Sequence, residues 1–217
     1  MSKTDSKDKF LSFHANGLNI SYRKNENGGG MHFGQDYINV IRDRYGPLPK
    51  VYEFCSGPAF IGFSMIGANL IKEKLVLSDI HTPVKDSINR TLLNNDLGDL
   101  TCTFYNTNKV SSIEEDNIDL VISNPPHFAS SPQWLKNLDK RIYLDEGWKI
   151  HKEFYENIKD KISNKGIILI QENSLGSNIS DFTNMINDSG LFISDTFQKK
   201  HNKGNDQIYY IEVKRKI

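Results

Sequence analysis

An apolar run that ends at two consecutive prolines constrains this chain most strongly. Residues 119–128 read Asp-Leu-Val-Ile-Ser-Asn-Pro-Pro-His-Phe. Proline fixes φ and lacks an N–H donor, so Pro125 and Pro126 cannot continue a central strand. Pro125 also keeps Asn124 out of the helical region. The pattern therefore predicts a buried strand whose carboxyl end displays the amide of Asn124, and open α/β sheets bind their ligands at that edge.

This corner resembles the Asn-Pro-Pro-aromatic motif of class I S-adenosylmethionine-dependent methyltransferases that methylate amino or amide nitrogens. The resemblance implies that the Asn124 side chain and the Pro125 carbonyl accept hydrogen bonds from a target NH2 group, with Pro126 and His127 completing the catalytic corner. A planar nitrogen keeps its lone pair in conjugation and is a poor nucleophile. Two acceptors facing its hydrogens would align it with the methyl donor and favour the charge that develops in transfer.

His127 stands where this family usually has Tyr or Phe, and Phe128 follows it. Either ring could stack on a planar substrate, but a histidine can also move a proton. If His127 acts as a general base, the acceptor could be a heterocyclic nitrogen, a hydroxyl or a carbon acid. The alternative is a purely structural role, in which the Pro-Pro turn only ends the strand, because short motifs also occur by chance.

A second motif precedes this corner in the chain. Residues 50–62 read Lys-Val-Tyr-Glu-Phe-Cys-Ser-Gly-Pro-Ala-Phe-Ile-Gly, which predicts a strand, a turn of small residues and a helix over 60–69. The family's first motif is an acid followed by Gly at every second position. Glu53 and Gly57 match it, whereas Cys55 and Ala59 replace the outer glycines. Small side chains let a cofactor approach the backbone, although Cys and Ala adopt positive φ less freely than Gly.

Two further strand ends complete the resemblance. Asp79 ends the apolar run 75–77 and lies 26 residues after Glu53, a position suited to binding ribose hydroxyls. We expect Ile80 to pack beside the adenine; the alternative role for Asp79 is a helix N-cap. Asn106 follows the alternating segment 101–105 where the family often has an acid, and its carbonyl could accept from the adenine amino group, or it could be a plain turn.

The strand–helix rhythm extends the resemblance to most of the chain. We expect an α/β fold with a Rossmann-like, seven-stranded, mostly parallel sheet, helices on both faces and a C-terminal antiparallel strand pair. Outside the motifs, the predicted strands are 17–24, 167–171, 191–198 and 207–213, the last two joined by a polar turn. The predicted helices are the later part of 31–45, then 146–163 and 179–189.

Residues 1–12 are predicted to be a disordered tail and 13–217 a single methyltransferase domain. Its segment 13–49 would be an N-terminal cap, in which Phe33 and Gln35 are candidates for contacting the substrate. The triple glycine Gly28–Gly30 suits a mobile lid or a plain linker. The stretch 129–150 is predicted to be a substrate-recognition insertion, with Phe128 and Trp134 as further candidate contacts.

Composition agrees with one globular domain of 217 residues and excludes several classes. No apolar stretch is long enough for a membrane span, and the polar N-terminus lacks a signal core. Cys55 and Cys102 suggest reduced thiols in a cytoplasmic protein, and no metal-ligand cluster is evident. Lys plus Arg and Asp plus Glu both number 27, a balance that does not favour nucleic acid. The basic clusters 199–201 and 214–216 could still form a basic face.

The resemblance thus implies an enzyme that uses S-adenosylmethionine and releases S-adenosylhomocysteine, without a metal. Small size and neutral charge favour a small-molecule or protein substrate. RNA or DNA exocyclic amines are the alternative acceptors. A non-catalytic cofactor- or partner-binding domain of the same fold is a third possibility, motivated by Cys55 and Ala59.

Overall fold

The computed structural model describes residues 9–198 and 207–216. The strands in these ranges are β1 (Leu11–Ala15), β2 (Leu18–Tyr22), β3 (Leu48–Phe54), β4 (Ile71–Ser78), β5 (Thr101–Tyr105), β6 (Ile118–Ser123), β7 (Ile162–Asn173), β8 (Leu191–Gln198) and β9 (Ile208–Arg215). The α-helices are α1 (Asp36–Arg44), α2 (Phe60–Gly67), α3 (Val84–Asn94), α4 (Lys140–Tyr143), α5 (Lys149–Ile158) and α6 (Ile179–Asp188). None of these helices is long and apolar enough to cross a membrane.

The main sheet has seven strands in the order β5-β4-β3-β6-β7-β9-β8, which confirms the predicted fold class. The first five of these strands run parallel, and β9 pairs antiparallel with both β7 and β8. The chain runs from β3 outward to β5 and then returns to β6 on the other side of β3. Strand order therefore reverses between β3 and β6, and open α/β sheets bind ligands outside the carboxyl ends of strands at such a switch point.

Both faces of the sheet are buried, as parallel sheets require. On one face, Val51 of β3 packs in a core that includes α1, α2, α3 and β2. On the other, Tyr52 packs with α5 and α6. Neighbouring side chains on a strand point to opposite faces, so an uninterrupted apolar run such as 120–122 fills both cores.

Two predicted boundaries are wrong. The end predicted for the tail at residue 12 is too late, because β1 begins at Leu11 and pairs with β2; residues 1–8 lie outside the described ranges. The helix expected over 146–163 spans only Lys149–Ile158. Gly147 and Trp148 have left-handed φ values of 64° and 59°, which a helix cannot include, and β7 already begins at Ile162.

The remaining expected elements are present; β5 and β8 have the predicted bounds, and the others have shifted ends. The strand predicted over 167–171 extends to Ile162–Asn173, because its second half pairs with β9. The turn expected between β8 and β9 and the basic cluster 199–201 lie outside the described residues. Cys55 and Cys102 are both free thiols.

Candidate functional site

A pocket of about 360 Å³ opens at the carboxyl ends of β3, β4 and β6. Its floor includes Glu53, Asp79 and Asn124, each from the end of a different strand. Residues of the loop 25–30 and of the short helix α4 with its flanks also line the pocket. The sequence motifs thus converge on one cavity, at the switch point that the strand order defines.

The turn after β3 is left-handed at three alternate residues. The φ angles are 54° at Cys55, 50° at Gly57 and 60° at Ala59, so all three positions of the motif take the conformation that favours glycine. Cys55 and Gly57 line the pocket, whereas Ala59 is fully buried at the N-terminus of α2. The chain therefore makes the glycine-type turn although two of its three residues carry a Cβ.

Glu53 is buried at the base of this turn, with 2% of its surface exposed. Its Oε2 accepts a hydrogen bond from the backbone N–H of Gly62 over 2.8 Å. A Cβ at Gly62 would lie 2.6 Å from the same oxygen, so a glycine is needed for this approach. Burial raises the pKa of Glu53 to about 8, against the opposing effect of the Gly62 N–H.

Asp79 joins the ends of two strands. Its Oδ2 accepts from the N–H of Gly57 over 2.8 Å, and its Oδ1 accepts from the N–H of His81 over 2.7 Å. Burial raises the pKa of Asp79, and these two N–H donors oppose the rise. A carboxylate has about four lone-pair sites, so Asp79 keeps acceptor capacity toward the pocket. Ile80 lines the same wall and is 59% exposed.

Asn106 does not line the pocket. Its Nδ2 donates to the carbonyl of Asp79 over 2.8 Å, and its Oδ1 accepts from Thr82 Oγ over 2.9 Å. The pocket-lining residues of this turn are Thr107 and Asn108. The turn lies where the sequence predicts it, but Asn106 stabilises the turn through these hydrogen bonds and does not line the pocket.

Both ends of the Asn124 amide are engaged. Oδ1 lies 3.0 Å from Nε2 of His127, and Nδ2 donates to the carbonyl of Gly28 over 3.3 Å. Asn124 and Pro126 line the pocket, and both prolines of the corner are buried. The contact with Gly28 connects the strand end to the glycine-rich loop.

His127 and Phe128, the residues predicted to stack on a substrate, are not among the residues that line the pocket. The His127 ring lies between Asn124 and Glu172, whose Oε2 is 3.1 Å from Nδ1. Phe128 is buried and makes edge contacts with Trp134 and with Tyr143. Trp134 is 64% exposed, so it is the solvent-accessible ring of these three aromatic side chains.

Phe33 and Gln35 also lie outside the pocket lining. Gln35 Nε2 donates to the carbonyl of Gly30 over 3.1 Å, and the carbonyl of Phe33 accepts from Gln171 Nε2 over 2.9 Å. These residues therefore hold the glycine-rich loop in place, and Gly28 and Gly30 of that loop reach the pocket instead.

Sequence reasoning missed two groups of residues around the site. One is α4 and its flank, which line the pocket through Lys140, Arg141, Ile142 and Leu144; the insertion was expected, but these residues carry no recognisable motif. The other is a buried chain of acids and histidines, Asp145, His151 and Glu172, behind His127. Their distance along the sequence leaves no local pattern to find. Within residues 9–198 and 207–216, no cluster of side chains is arranged to hold a metal ion.

Comparison with known proteins assigns the fold. No family model and no curated protein matches the sequence. Many solved structures share its fold, among them a TehB-like SAM-dependent methyltransferase from Corynebacterium glutamicum (14% identity, 82% of this chain and 86% of that chain, TM-score 0.56). The chain has the Rossmann-like methyltransferase fold.

Two other solved structures share this fold. One is the ribosomal protein L11 methylase of Lactobacillus delbrueckii subsp. bulgaricus (12% identity, 86% of this chain and 80% of that chain, TM-score 0.60). The other is TYW2 of M. jannaschii, solved in complex with AdoMet (10% identity, 94% of this chain and 84% of that chain, TM-score 0.58). At such low identity the likeness concerns the fold.

Proposed function

We propose that this protein is an S-adenosylmethionine-dependent methyltransferase acting on a planar amino or amide nitrogen of a small-molecule or protein substrate. The observation that carries the proposal is the position of the Asn124 amide. It lies in one pocket with Asp79 and the left-handed turn around Gly57, at the switch point of a methyltransferase fold.

The residues of the pocket fit the cofactor. Cys55 and Gly57 leave the backbone open to close approach, and Asp79 has lone pairs left for the ribose hydroxyls. Glu53 lies below the turn, where a cationic ligand would favour its charged form. The side chain of Ile80 supplies apolar surface for the adenine.

The bound cofactor supplies an electrophilic methyl group on a sulfonium centre. The protein's part is to hold the acceptor in line with it. Asn124 Oδ1 accepts one hydrogen bond from His127 and keeps a second lone pair for an N–H of the substrate. The Pro125 carbonyl would accept the other N–H. Orientation of this kind lowers the barrier by removing rotational freedom before the reaction.

The test is transfer of a labelled methyl group. The protein is incubated with methyl-labelled S-adenosylmethionine and separate pools of small molecules, proteins and RNA, and incorporation is measured for wild type and Asn124→Ala. We expect label in the small-molecule or protein pool and a loss on the order of 100-fold in the variant. Equal incorporation by both proteins would refute the role of Asn124. A folded protein that binds the cofactor but labels no pool would favour a non-catalytic domain.

A nucleic acid is the second candidate acceptor. The exposed Trp134 could stack on a base, and the nearby Lys136, Lys140 and Arg141 would attract phosphates. Label in the RNA pool, together with binding that weakens steeply as salt is raised, would favour this reading.

A further inference from the structure

A continuous line of acidic and imidazole groups runs from the start of α5 to the pocket. Asp145 Oδ2 is 2.7 Å from Nδ1 of His151, whose Nε2 is 2.8 Å from Glu172 Oε1. Glu172 Oε2 is 3.1 Å from Nδ1 of His127, whose Nε2 is 3.0 Å from Asn124 Oδ1. Five side chains from the loop before α5, α5, β7 and the corner after β6 are thus linked end to end. We call this line the relay.

The inner part of the relay is removed from solvent. Asp145, His151 and Glu172 are 1%, 3% and 0% exposed. Burying charged groups is costly unless each one is paired and hydrogen-bonded. Here Glu172 also accepts from Ser177 Oγ over 3.0 Å, and Asp145 accepts from the backbone N–H groups of Ile150 and His151. The donors and acceptors of the inner relay are therefore matched.

The geometry sets the protonation of both rings. His151 has a carboxylate at each nitrogen, so both of its nitrogens must donate. His127 faces the Glu172 carboxylate at Nδ1 and the Asn124 oxygen at Nε2. Turning the Asn124 amide over would not relieve this requirement without placing its oxygen against the carbonyl of Gly28. For both contacts to be hydrogen bonds, His127 therefore also needs a proton on each ring nitrogen.

Electrostatics agree with two N–H groups on His151. Burial disfavours the charged His151 ring, yet Glu172 and Asp145 raise its pKa to about 9. Burial likewise disfavours the Glu172 carboxylate, but His151 and His127 hold its pKa at about 2.

We propose that the relay is a positioning device, in which His151 orients the Glu172 carboxylate against Nδ1 of His127, and Glu172 in turn keeps both ring nitrogens of His127 protonated so that its Nε2–H fixes the Asn124 carbonyl. A merely structural ion-pair cluster would cap α5 and end at Glu172. This one continues to the amide that, under the function proposed above, receives the substrate nitrogen. The relay thus deepens that function and rests on it for its catalytic meaning.

The test compares two buried carboxylates. Glu172→Gln keeps size and breaks the relay. Glu212→Gln is the matched control, because Glu212 is 2% exposed, has a pKa lowered to about 2, and is hydrogen-bonded to Tyr45 and Ser194 away from the pocket. Ring-nitrogen NMR of histidine-labelled protein, assigned with His127→Gln and His151→Gln, reads the protonation without any substrate.

In wild type near neutral pH we expect both nitrogens of His127 and of His151 to carry protons. Glu172→Gln should return at least one ring to a single proton and shift the side-chain amide signals of Asn124, which it does not touch. Glu212→Gln should leave all these signals unchanged. A singly protonated His127 in wild type would overturn the proposal. Asn124 side-chain amide signals that are the same in Glu172→Gln as in wild type would overturn it as well.

Turnover then tests the catalytic meaning of the relay. With the acceptor identified by methyl labelling, Glu172→Gln should lower kcat about 10- to 100-fold, the loss typical of a charged hydrogen bond, and leave S-adenosylmethionine affinity within about twofold. An unchanged kcat would overturn the positioning role. Because the NMR experiment uses the protein alone, a failure of the relay is distinguishable from a failure of the proposed function, which would show as absent cofactor binding.

Discussion

The Asp79 carboxylate accepts the backbone N–H of Gly57 over 2.8 Å and so ties the turn after β3 to the end of β4. This bond fixes a turn whose residues 55, 57 and 59 all have positive φ. The same carboxylate faces the pocket, so one side chain both shapes the site and remains available to a ligand. Structure and proposed binding therefore depend on the same residue.

Glu53 should make stability depend on pH in the opposite direction to a paired carboxylate. Its folded pKa of about 8 lies above the unfolded value of 4.5, so the folded state binds the proton more tightly. Stability is therefore lost as pH rises from about 4.5 to 8, by at most about 1.4 kcal/mol per pH unit. Glu53→Gln keeps an oxygen for the Gly62 N–H and removes this loss.

The measurement is the free energy of unfolding without cofactor, by denaturant titration near pH 5 and near pH 8. We expect the free energy of unfolding of Glu53→Gln, relative to that of wild type, to increase from pH 5 to pH 8. Glu212→Gln is the control, because the pKa of Glu212 is lowered to about 2 and its carboxylate stays charged across this window. The same difference between wild type and Glu53→Gln at both pH values would contradict the assignment.

Ala59→Gly should be nearly neutral for stability. A Cβ at φ of 60° costs about 1–2 kcal/mol, which glycine relieves, and this gain offsets the lost methyl contact and the greater freedom of the unfolded chain. Ala15→Gly, at a buried alanine in strand β1, relieves no such strain and should cost about 1 kcal/mol or more. Thermal unfolding of the two variants provides the comparison. Equal losses in both would mean that the turn is not strained.

Trp134→Ala should affect the acceptor and spare the fold. The ring is 64% exposed and touches Phe128 only by its edge, so little buried area is lost. We expect the acceptor KM to rise several-fold, with S-adenosylmethionine affinity unchanged, since stacking on a planar group is worth about 1–3 kcal/mol. Phe192→Ala, at a partly exposed ring on β8, is the control. An unchanged acceptor KM would remove Trp134 from the substrate site.

Much of the sheet could be predicted because its signals are local. Apolar runs that end in Glu53, Asp79 and Asn124 each mark a strand and its carboxyl end, and the strand order brings the three residues to one pocket. The start of α5 could not be predicted. Trp148 fits the apolar face of a helix, but its left-handed φ places it outside α5, where Asp145 accepts the free N–H groups of the first turn.

The relay was beyond sequence reasoning for a different reason. His127 and Glu172 are 45 residues apart, and their contact depends on β6 and β7 being neighbours in register. A histidine in place of the usual aromatic was visible in the sequence, and stacking or base chemistry was the expected role. The Glu172 carboxylate at Nδ1 and the Asn124 oxygen at Nε2 together favour a donor at each nitrogen instead, a conclusion that needs the three-dimensional neighbours of both ring nitrogens.

The central claim is that this pocket holds S-adenosylmethionine, and calorimetric titration of the folded protein tests it most directly. Wild type should bind, and Asp79→Ala should lose at least about tenfold in affinity. Asp119→Ala should bind like wild type, because that carboxylate accepts the N–H of Lys50 at the opposite end of the sheet. Asp79→Asn, which keeps an acceptor, guards against simple unfolding. A folded wild type that does not bind, or an Asp79→Ala protein that binds equally well, would contradict the account.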